Sequence, residues 1–577
     1  MLFRELIRYF ERLEVTSKRL EMFDILAELF KRLDNKDIDK VVYLLQGRLR
    51  PSFFDIEMGM SEKLILRTIA NLSSLSIKEV EKNFRTKGDI GETAEELIEE
   101  KGEDTGLSIE EVYNELFKIA NISGERGVEK KIDRLKGLLS HVSNEEAKYI
   151  SRFVSGRLRL GIGDSTILES LSIAKVNRGF KKELERGFNL CSDIGHVARI
   201  LFERGEEGIK EIEIRVGYPI RMALCERLSS AEEIIEKIGR CSVEAKYDGF
   251  RCQIHKDGDN VEIFSRNLEK TTNMFPEIVD AVKREFRARE GIFEGEALAY
   301  NEQTGDMLPF QITMQRKRKY GIEDMAKEYP LKFFAFDLFY ADGKDYRDRP
   351  YIERRDRLKQ LIRGGIIDIS ESIEVTEPEK LMAFFDKVIK KGLEGIIAKR
   401  LDGHYSAGSR NFNWIKLKNS YRGQLSDTID ICIVGYMNGK GTRARFGVGA
   451  VLGAVYDHDE EIFKTITKIG SGFTEDELNR LKKTLDDISL TERPRRVESI
   501  ITPDVWVEPK YILTVTSDEI TRSPAHTCGM KGSGVGYALR FPRVEGFLRR
   551  DKNPEDATTV SEIVDMFKKQ REVKISS

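Results

Sequence analysis

The chain has 577 residues, of which 40% are hydrophobic and 34% charged, a composition typical of a globular protein with several domains. Because 97 Lys and Arg residues nearly balance 99 Asp and Glu residues, binding to a polyanion requires local basic surfaces rather than net charge. We expect no signal peptide, no membrane span, and neither zinc nor disulfides, because no long apolar run occurs and the six cysteines form no CxxC pair.

Residues 1–215 are predicted to form an all-helical domain. Apolar residues recur at intervals of three and four, as in FRELIRYFERL and EMFDILAELFKRL. Pro51 is the only proline before Pro219, which also favours uninterrupted helices.

Two similar segments of this helical region suggest phosphate binding. Gly-Arg-Leu-Arg at 47–50 precedes Gly-Met-Ser at 59–61, and Gly-Arg-Leu-Arg at 156–159 precedes Gly-Asp-Ser at 163–165. In each, the serine can cap the next helix, and free backbone N–H groups beside arginines suit a phosphate. The alternative is an ordinary helix connection with solvated arginines, and spacing alone favours this alternative.

From about residue 240 the hydrophobic period changes to two, and helical segments near 274–290 and 378–391 intervene. This pattern predicts an α+β domain at 216–420. Beyond it, short strands such as TIDICIVGYM and VGAVLGAVYD predict a small β barrel at 421–577, with a helical tail near 558–570.

Charged side chains occupy strand positions throughout the α+β region. In EAKYDGFRCQIH, alternation places Glu244 and Lys246 on one face and Val243 and Ala245 on the other. Further such positions are Arg251, Arg266, Glu294, Glu296, Glu394, Lys399, Arg410, Lys416 and Lys418, with the aromatic Phe336 between them. Solvated strand faces explain any single pair, but not the ordered series. Glu394 and Lys399 share a site only if the strand bends at Glu394.

This series suits phosphoryl chemistry. A lysine attacks phosphorus only as the neutral amine, and roughly one in a thousand lysines is neutral at pH 7. Nearby cations, a metal and partial burial increase that fraction. Four cations, Lys399, Lys416, Lys418 and Arg251, would also bind a triphosphate. Glu296 and Glu394 offer oxygen ligands for Mg²⁺, whereas no GxxxxGK[ST] phosphate loop occurs.

The motif KYDGFR resembles the first motif of the covalent nucleotidyltransferases, K-x-D-G-x-R. SRN, FEGEAL, FAFDLFY, EGIIAK and WIKLK resemble the later motifs in order, and LRFPRVEGFLRRDK resembles the last. With GRLRLGIGD in the helical region, the whole chain resembles an ATP-dependent DNA ligase of the archaeal and eukaryotic replicative type. One departure is Glu294, because the third motif usually begins with aspartate.

The resemblance implies that Lys246 becomes AMP-lysine and that Glu244 contacts the adenine amino group. It assigns nucleotide contacts to Arg251, Arg266, Glu296, Phe336, Lys399, Arg410, Lys416 and Lys418, and metal contacts to Glu296 and Glu394. It implies an OB-fold that closes over the site with Arg540, Arg543, Arg549, Arg550 and Lys552. It also implies that the helical domain binds nicked duplex through Arg48, Arg50, Arg157 and Arg159.

The expected cofactors are ATP and Mg²⁺, with Mn²⁺ as the alternative metal. We expect a monomer at the nucleoid in the cytoplasm that acts in replication, repair and recombination. A sliding clamp stays an open partner, because the aromatics of the segment QGRLRPSFF fall one position late for a clamp box.

Some of the same motifs also occur in proteins with other functions. An RNA ligase or a capping guanylyltransferase does not need the long helical domain. A NAD⁺-dependent ligase would carry a cysteine zinc module, which this sequence lacks. A scaffold without catalysis would not need Lys246, Glu394, Lys416 and Lys418.

Overall fold

A computed structural model describes residues 1–16, 18–98, 106–308, 310–316, 321–418, 428–439, 446–530 and 534–575. The predicted boundary at 420 and 421 lies outside these residues. No helix in these ranges is both long enough and apolar enough to cross a membrane.

The N-terminal region is helical, as predicted. Its helices are α1 (Phe3–Glu14), α2 (Arg19–Arg32), α3 (Ile38–Leu45), α4 (Glu62–Ser73), α5 (Ile77–Lys87), α6 (Ile90–Leu97), α7 (Ile109–Ala120), α8 (Gly127–Leu139), α9 (Asn144–Val154), α10 (Asp164–Lys175), α11 (Lys181–Cys191) and α12 (Ile194–Lys210). Short 3-10 helices cover Ser52–Phe54 and Arg178–Phe180. Capping boxes begin α5, α7 and α9, which explains where these helices start.

The predicted serine caps are wrong in their details. Helix α10 begins at Asp164 with Gly163 as its N-cap, so Ser165 lies inside the first turn. Ser61 occupies the N-cap position of α4, but its side chain makes no capping hydrogen bond.

The middle region contains two sheets. Its elements are β1 (Leu224–Arg227), α13 (Ala231–Ile238), β2 (Cys241–Lys246), β3 (Phe250–Asp257), β4 (Asn260–Ser265), α14 (Pro276–Glu285), β5 (Glu290–Ala299), α15 (Phe310–Gln315), α16 (Ile322–Glu328), β6 (Leu331–Ala341), β7 (Lys344–Asp345), α17 (Tyr351–Leu361), β8 (Ile367–Ile369), β9 (Ser372–Val375), α18 (Pro378–Lys390), β10 (Gly395–Arg400) and β11 (Arg410–Lys418), with a 3-10 helix at Thr272–Met274. The first sheet has the order β1-β11-β10-β2-β9. The second has the order β4-β3-β5-β6-β7, with β8 also on β6.

Each sheet buries one face against helices. Val243, Ala245, Ile396 and Leu417 of the first sheet pack with α13 and α18, as the alternation in β2 predicts. The second sheet packs with α14 and α17. The opposite face of the first sheet is therefore left for polar side chains.

The C-terminal region is rich in β-strands, as predicted. Its elements are β12 (Ile429–Met437), β13 (Ala450–Asp457), β14 (Ile462–Ile469), α19 (Glu475–Asp486), β15 (Ser489–Leu490), β16 (Val497–Glu498), β17 (Val505–Val507), β18 (Ile512–Thr516), β19 (Glu519–Ser523), β20 (Gly536–Arg540), β21 (Arg543–Val544) and α20 (Val560–Ile575), with a 3-10 helix at Pro554–Asp556. Its main sheet has the order β15-β17-β12-β13-β14-β16, and β18 joins β12 to β21.

The segment that resembles a clamp box contacts the middle region. Phe53 is 4% exposed. Its ring packs edge-on against Tyr218 and Phe264, and Phe54 also contacts Tyr218. These aromatic side chains are thus engaged within the chain.

Candidate active site

A cavity of about 200 Å³ lies between the first sheet, the second sheet and the C-terminal region. The residues predicted for the site that line it are Glu244, Lys246, Arg251, Arg266, Glu296, Phe336, Glu394, Lys399, Arg410, Lys416, Lys418, Arg549 and Lys552. The structure thus brings together side chains that lie more than 300 positions apart in sequence. Asp248, Ile397, Trp414 and Asp551 also line the cavity but were not predicted.

Strand register explains why these side chains share one face. Strand β10 lies antiparallel between β2 and β11. Ile397 is opposite both Glu244 and Lys416, and Gly395 is opposite both Lys246 and Lys418. Residues directly opposite in a sheet project to the same side, so the polar positions of all three strands form one wall of the cavity.

Glu394 joins this wall because the chain turns just before β10. A Cβ on Gly395 would lie 2.2 Å from the Leu417 carbonyl oxygen, so the close approach requires glycine. The Glu394 carboxylate accepts hydrogen bonds from the ammonium groups of Lys246 and Lys418. Burial alone would raise the pKa of Glu394, but these two cations hold it well below its usual range. The structure therefore places Glu394 and Lys399 in one site.

Lys399 lies at the opposite end of the cavity from Glu394. It is 1% exposed. Its Nζ is 3.0 Å from Oε1 of Glu244 and donates to the Phe336 carbonyl oxygen at 3.2 Å. The rings of Phe336 and Trp414 also flank its ammonium. Lys399 thus contacts Glu244 and is not free to contact phosphates as expected, because the buried carboxylate requires a counter-charge.

Glu294 holds Arg251, which gives a physical role to the unusual first residue of the third motif. The fully buried Glu294 accepts a hydrogen bond from Nη2 of Arg251 at 2.7 Å and another from the Tyr405 hydroxyl at 3.1 Å. Arg251 also donates to the Ala223 carbonyl oxygen at 2.9 Å. Glu294, which is one methylene longer than the usual aspartate, therefore holds the Arg251 guanidinium at the wall of the cavity.

The predicted basic cluster of the C-terminal region divides into two groups. Arg549 and Lys552 line the cavity, where Arg549 donates to Asp551 at 2.7 and 2.8 Å and Lys552 to Asp430. Arg540, Arg543 and Arg550 are exposed and do not line it. The cluster is therefore not one surface, because Arg540 and Arg543 lie before this loop, and Arg550 within the loop is exposed to solvent between the two residues that line the cavity.

Acidic residues of the C-terminal region also contact cations of the middle region. Glu562 pairs with Arg410, and Asp556 accepts a hydrogen bond from Arg266 at 2.9 Å. Lys416 and Arg410 lower the pKa of Glu562 to about 2 against the effect of burial. Burial lowers the pKa of Lys416 to about 8. Sequence reasoning missed Glu562 because it also completes a capping box with Thr559, which alone explains its presence.

The four arginines predicted to bind DNA lie in two environments. Arg48 is exposed, and it and Arg50 line a larger cavity of about 1920 Å³ between the three regions. Arg157 and Arg159 do not line this cavity. Arg159 pairs with the buried Asp89, and Nη1 of Arg157 is 3.5 Å from Glu62.

A carboxylate occupies the predicted phosphate position at the start of α10. Glu461 accepts a hydrogen bond from the Thr166 hydroxyl at 3.0 Å and is 3.3 Å from the Arg19 guanidinium. Glu461 is held there by a side-chain hydroxyl and a guanidinium, and phosphate binding at this end of the helix stays a prediction.

Three family models match the chain. "DNA ligase N terminus" matches residues 2–172, "ATP dependent DNA ligase domain" matches 222–418, and "ATP dependent DNA ligase C terminal region" matches 444–552.

Curated relatives match over the full length. A probable DNA ligase of Dictyoglomus thermophilum is 52% identical and covers 100% of this chain and 99% of its own. A probable DNA ligase of Aquifex aeolicus is 42% identical, with 100% of both chains covered. The DNA ligase of Sulfolobus acidocaldarius is 40% identical and covers 100% of this chain and 99% of its own. Because the relatives include bacterial proteins, the archaeal origin stays a prediction.

We expect Glu296→Gln to stabilise the protein, increasingly so as the pH rises. Burial raises the pKa of Glu296 from 4.5 to about 7 even though the Lys246 ammonium opposes this. Wild-type stability should therefore fall as the pH rises between these values, whereas the amide does not titrate and can still accept from the Gly249 N–H. A shift of one pKa unit corresponds to about 1.4 kcal/mol. Above pH 7, the free energy of unfolding of Glu296→Gln should therefore exceed that of wild type by roughly 3 kcal/mol.

Denaturant unfolding of both proteins between pH 4 and pH 8 measures this gain. A stability difference that does not change with pH would show that Glu296 titrates normally.

Proposed function

Because the chain belongs to the ATP-dependent DNA ligase family, we propose that Lys246 is the nucleophile with which it seals nicks in duplex DNA. Nζ of Lys246 attacks the α-phosphorus of ATP, a P–N bond forms, and pyrophosphate leaves. The adenylate then passes to the 5′-phosphate of the nick. Finally the 3′-hydroxyl attacks that phosphate and AMP leaves.

The observation that carries this proposal is the position of Lys246. Its side chain is 21% exposed at the cavity wall, so the amine can reach a ligand and is also partly desolvated. Lys418 shares its carboxylate partner Glu394, and Arg549, which also lines the cavity, is close enough to Asp248 to act on the pKa of that carboxylate. The cations around Lys246 would stabilise the charge that develops on the phosphates in the transition state.

The donor set fits Mg²⁺, which supplies charge neutralisation at the phosphates when bound. Glu394, one of the two predicted ligands, and Asp248 would hold it, because burial and the nearby Glu394 charge raise the pKa of Asp248, and a cation relieves this repulsion. The metal contact expected for Glu296 stays a prediction. The described residues contain no cluster of three or more acidic, His or Cys side chains that could hold a metal. Phosphate oxygens would therefore complete the coordination, as is usual for Mg²⁺.

Glu244, Phe336 and Lys399 define the base end of the cavity in this proposal. The ionised Glu244 can only accept, so it suits the amino group of adenine, with the Phe336 ring beside the base. Lys416, Arg410 and Arg266 lie where phosphates and ribose would bind once Glu562 and Asp556 withdraw.

We propose an OB-fold for the C-terminal region, which would close over the nucleotide in the first step. The antiparallel run β12-β13-β14 with β18 on β12 supports this assignment. Arg549 and Lys552 would then orient the pyrophosphate. Arg48 and Arg50 would contact the phosphate backbone of nicked DNA, while Arg157 and Arg159 mainly stabilise the helical region.

No observation favours an RNA ligase or a guanylyltransferase, and the N-terminal family model belongs to DNA ligases. Action in replication, repair and recombination, a monomeric state and a cytoplasmic location remain predictions. A sliding clamp would need the Phe53 ring, which is buried within the chain.

Lys246→Ala should abolish the covalent AMP adduct, because it removes the amine proposed to attack the α-phosphorus. Incubation with α-labelled ATP followed by denaturing electrophoresis measures the adduct. The variant should still seal a nick that already carries a 5′-adenylate. Lys380→Ala, which changes an exposed lysine of α18, is the control and should form a normal adduct. A normal adduct in Lys246→Ala would exclude this residue as the nucleophile.

Arg549→Ala and Lys552→Ala should each slow formation of the AMP adduct at least tenfold. Their proposed contacts with the departing pyrophosphate would act mainly in the transition state of the first step. Sealing of a pre-adenylated nick should change much less. Single-turnover rates of both steps measure this difference, and the exposed Arg550→Ala is the matched control. Equal slowing of the two steps would contradict a first-step role.

Arg48→Gln should weaken binding to nicked duplex of any sequence, and it should reduce the slope of log affinity against log salt by about one. The matched variant Arg157→Gln should leave that slope unchanged, because Arg157 lies beside Glu62 and away from the larger cavity. Fluorescence anisotropy across a salt series measures both slopes. An unchanged slope in Arg48→Gln would place the DNA elsewhere.

A further inference from the structure

Glu244 is held by four protein donors. Its Oε1 accepts hydrogen bonds from the Tyr351 hydroxyl and from Nη1 of Arg355 at 3.1 Å, and it is 3.0 Å from Nζ of Lys399. Among the residues that the structure describes, its Oε2 accepts a hydrogen bond from the Ser370 hydroxyl alone, at 2.9 Å. An ionised carboxylate offers about four acceptor positions, two on each oxygen. Oε1 is therefore saturated, and Oε2 keeps one open position.

Helix α17 supplies two of these donors from outside the sheet of Glu244. Tyr351 and Arg355 are four residues apart, so they lie one turn apart on the same face of α17. Arg355 also donates to the Tyr351 hydroxyl at 3.1 Å and to the Ser370 hydroxyl at 3.0 Å, and Nη2 donates to the Ser370 carbonyl oxygen. One guanidinium thus fixes every neutral group that contacts the carboxylate.

The cations also determine the charge of Glu244. The side chain is 2% exposed, and burial would favour its neutral form. Lys399 and Arg355 instead keep the pKa of Glu244 below its usual range. An ionised carboxylate only accepts hydrogen bonds, whereas a protonated one can donate to a carbonyl oxygen.

We propose that Tyr351 and Arg355 are positioning residues that determine base choice, because they hold the Glu244 carboxylate in place with one open acceptor position on Oε2. This inference rests on the proposed contact between Glu244 and the base. A purine with a 6-amino group donates to Oε2, whereas a 6-oxo group meets a fixed negative charge. The arrangement selects adenine and rejects guanine and hypoxanthine without either positioning residue touching the nucleotide.

The test measures formation of the covalent nucleoside-monophosphate adduct by wild type, Arg355→Met and Tyr351→Phe with three nucleotides. ATP carries the 6-amino group, purine riboside triphosphate lacks it, and inosine triphosphate carries a 6-oxo group. Each variant should raise KM for ATP about tenfold, which is the loss expected for one well-placed hydrogen bond. KM for purine riboside triphosphate should change less than twofold. The preference for ATP over inosine triphosphate should fall at least tenfold in Arg355→Met.

Arg357→Met is the matched control, because Arg357 lies on the same helix and contacts only the Gln360 side chain among the hydrogen bonds described for it. It should behave as wild type. Arg355→Lys should restore part of the preference for ATP, because the charge returns without the fork of donors. A variant that still seals a pre-adenylated nick is folded. If Arg355→Met does not fold, Ser370→Ala repeats the test without removing a buried charge.

Equal losses with ATP and purine riboside triphosphate would overturn the proposal, because they would show a merely structural role. A wild type that does not distinguish these two nucleotides would overturn the contact between Glu244 and the base. The Lys246 adduct would still form in that case, so this failure is distinct from a failure of the proposed nucleophile.

Discussion

The register of β10 between β2 and β11 is the constraint on which the site depends. Each strand buries one face against α13 and α18, and this burial fixes which side chains project the other way. A slip of one residue in any strand would place its lysines in the apolar core. Core packing and catalytic geometry are thus one requirement, and Gly395 permits the close approach of β11 that both need.

The site balances many cations with carboxylates from distant parts of the chain. Burial of an unpaired charge is costly, so Lys246 and Lys418 share Glu394, while Lys399 and Arg355 share Glu244. Arg410, Arg266 and Lys552 take their partners from the C-terminal region. Phosphates of a nucleotide or of DNA compete for the same cations. In the proposed function, binding of substrate and movement of the C-terminal region would therefore be coupled by charge.

Carboxylates at the base end and at the lysine end have different tasks. Glu244 is surrounded by donors and stays fixed, which suits recognition of a base edge. Within the described part of the chain, Glu394 accepts from the two ammonium groups of Lys246 and Lys418, which suits exchange of partners during a reaction. The same residue type therefore gives selectivity in one position and adaptability in another, because the surroundings differ.

The sequence by itself determined the order of the helical and β-rich regions, the shared face of Glu244 and Lys246, and the set of motif residues. Hydrophobic periodicity and short motifs are local features, so they can be identified in a sequence without knowledge of how the chain packs. Only the tertiary structure decided that Lys399 contacts Glu244 and that Arg159 pairs with Asp89. It also decided that Arg549 lines the cavity while Arg550 is exposed. Three carboxylates join the site in the same way, namely Asp430, Asp556 and Glu562. These contacts join residues tens to hundreds of positions apart or depend on the direction of a single loop. Their pairing follows from the need to neutralise buried charge, and no local pattern records which partner meets that need.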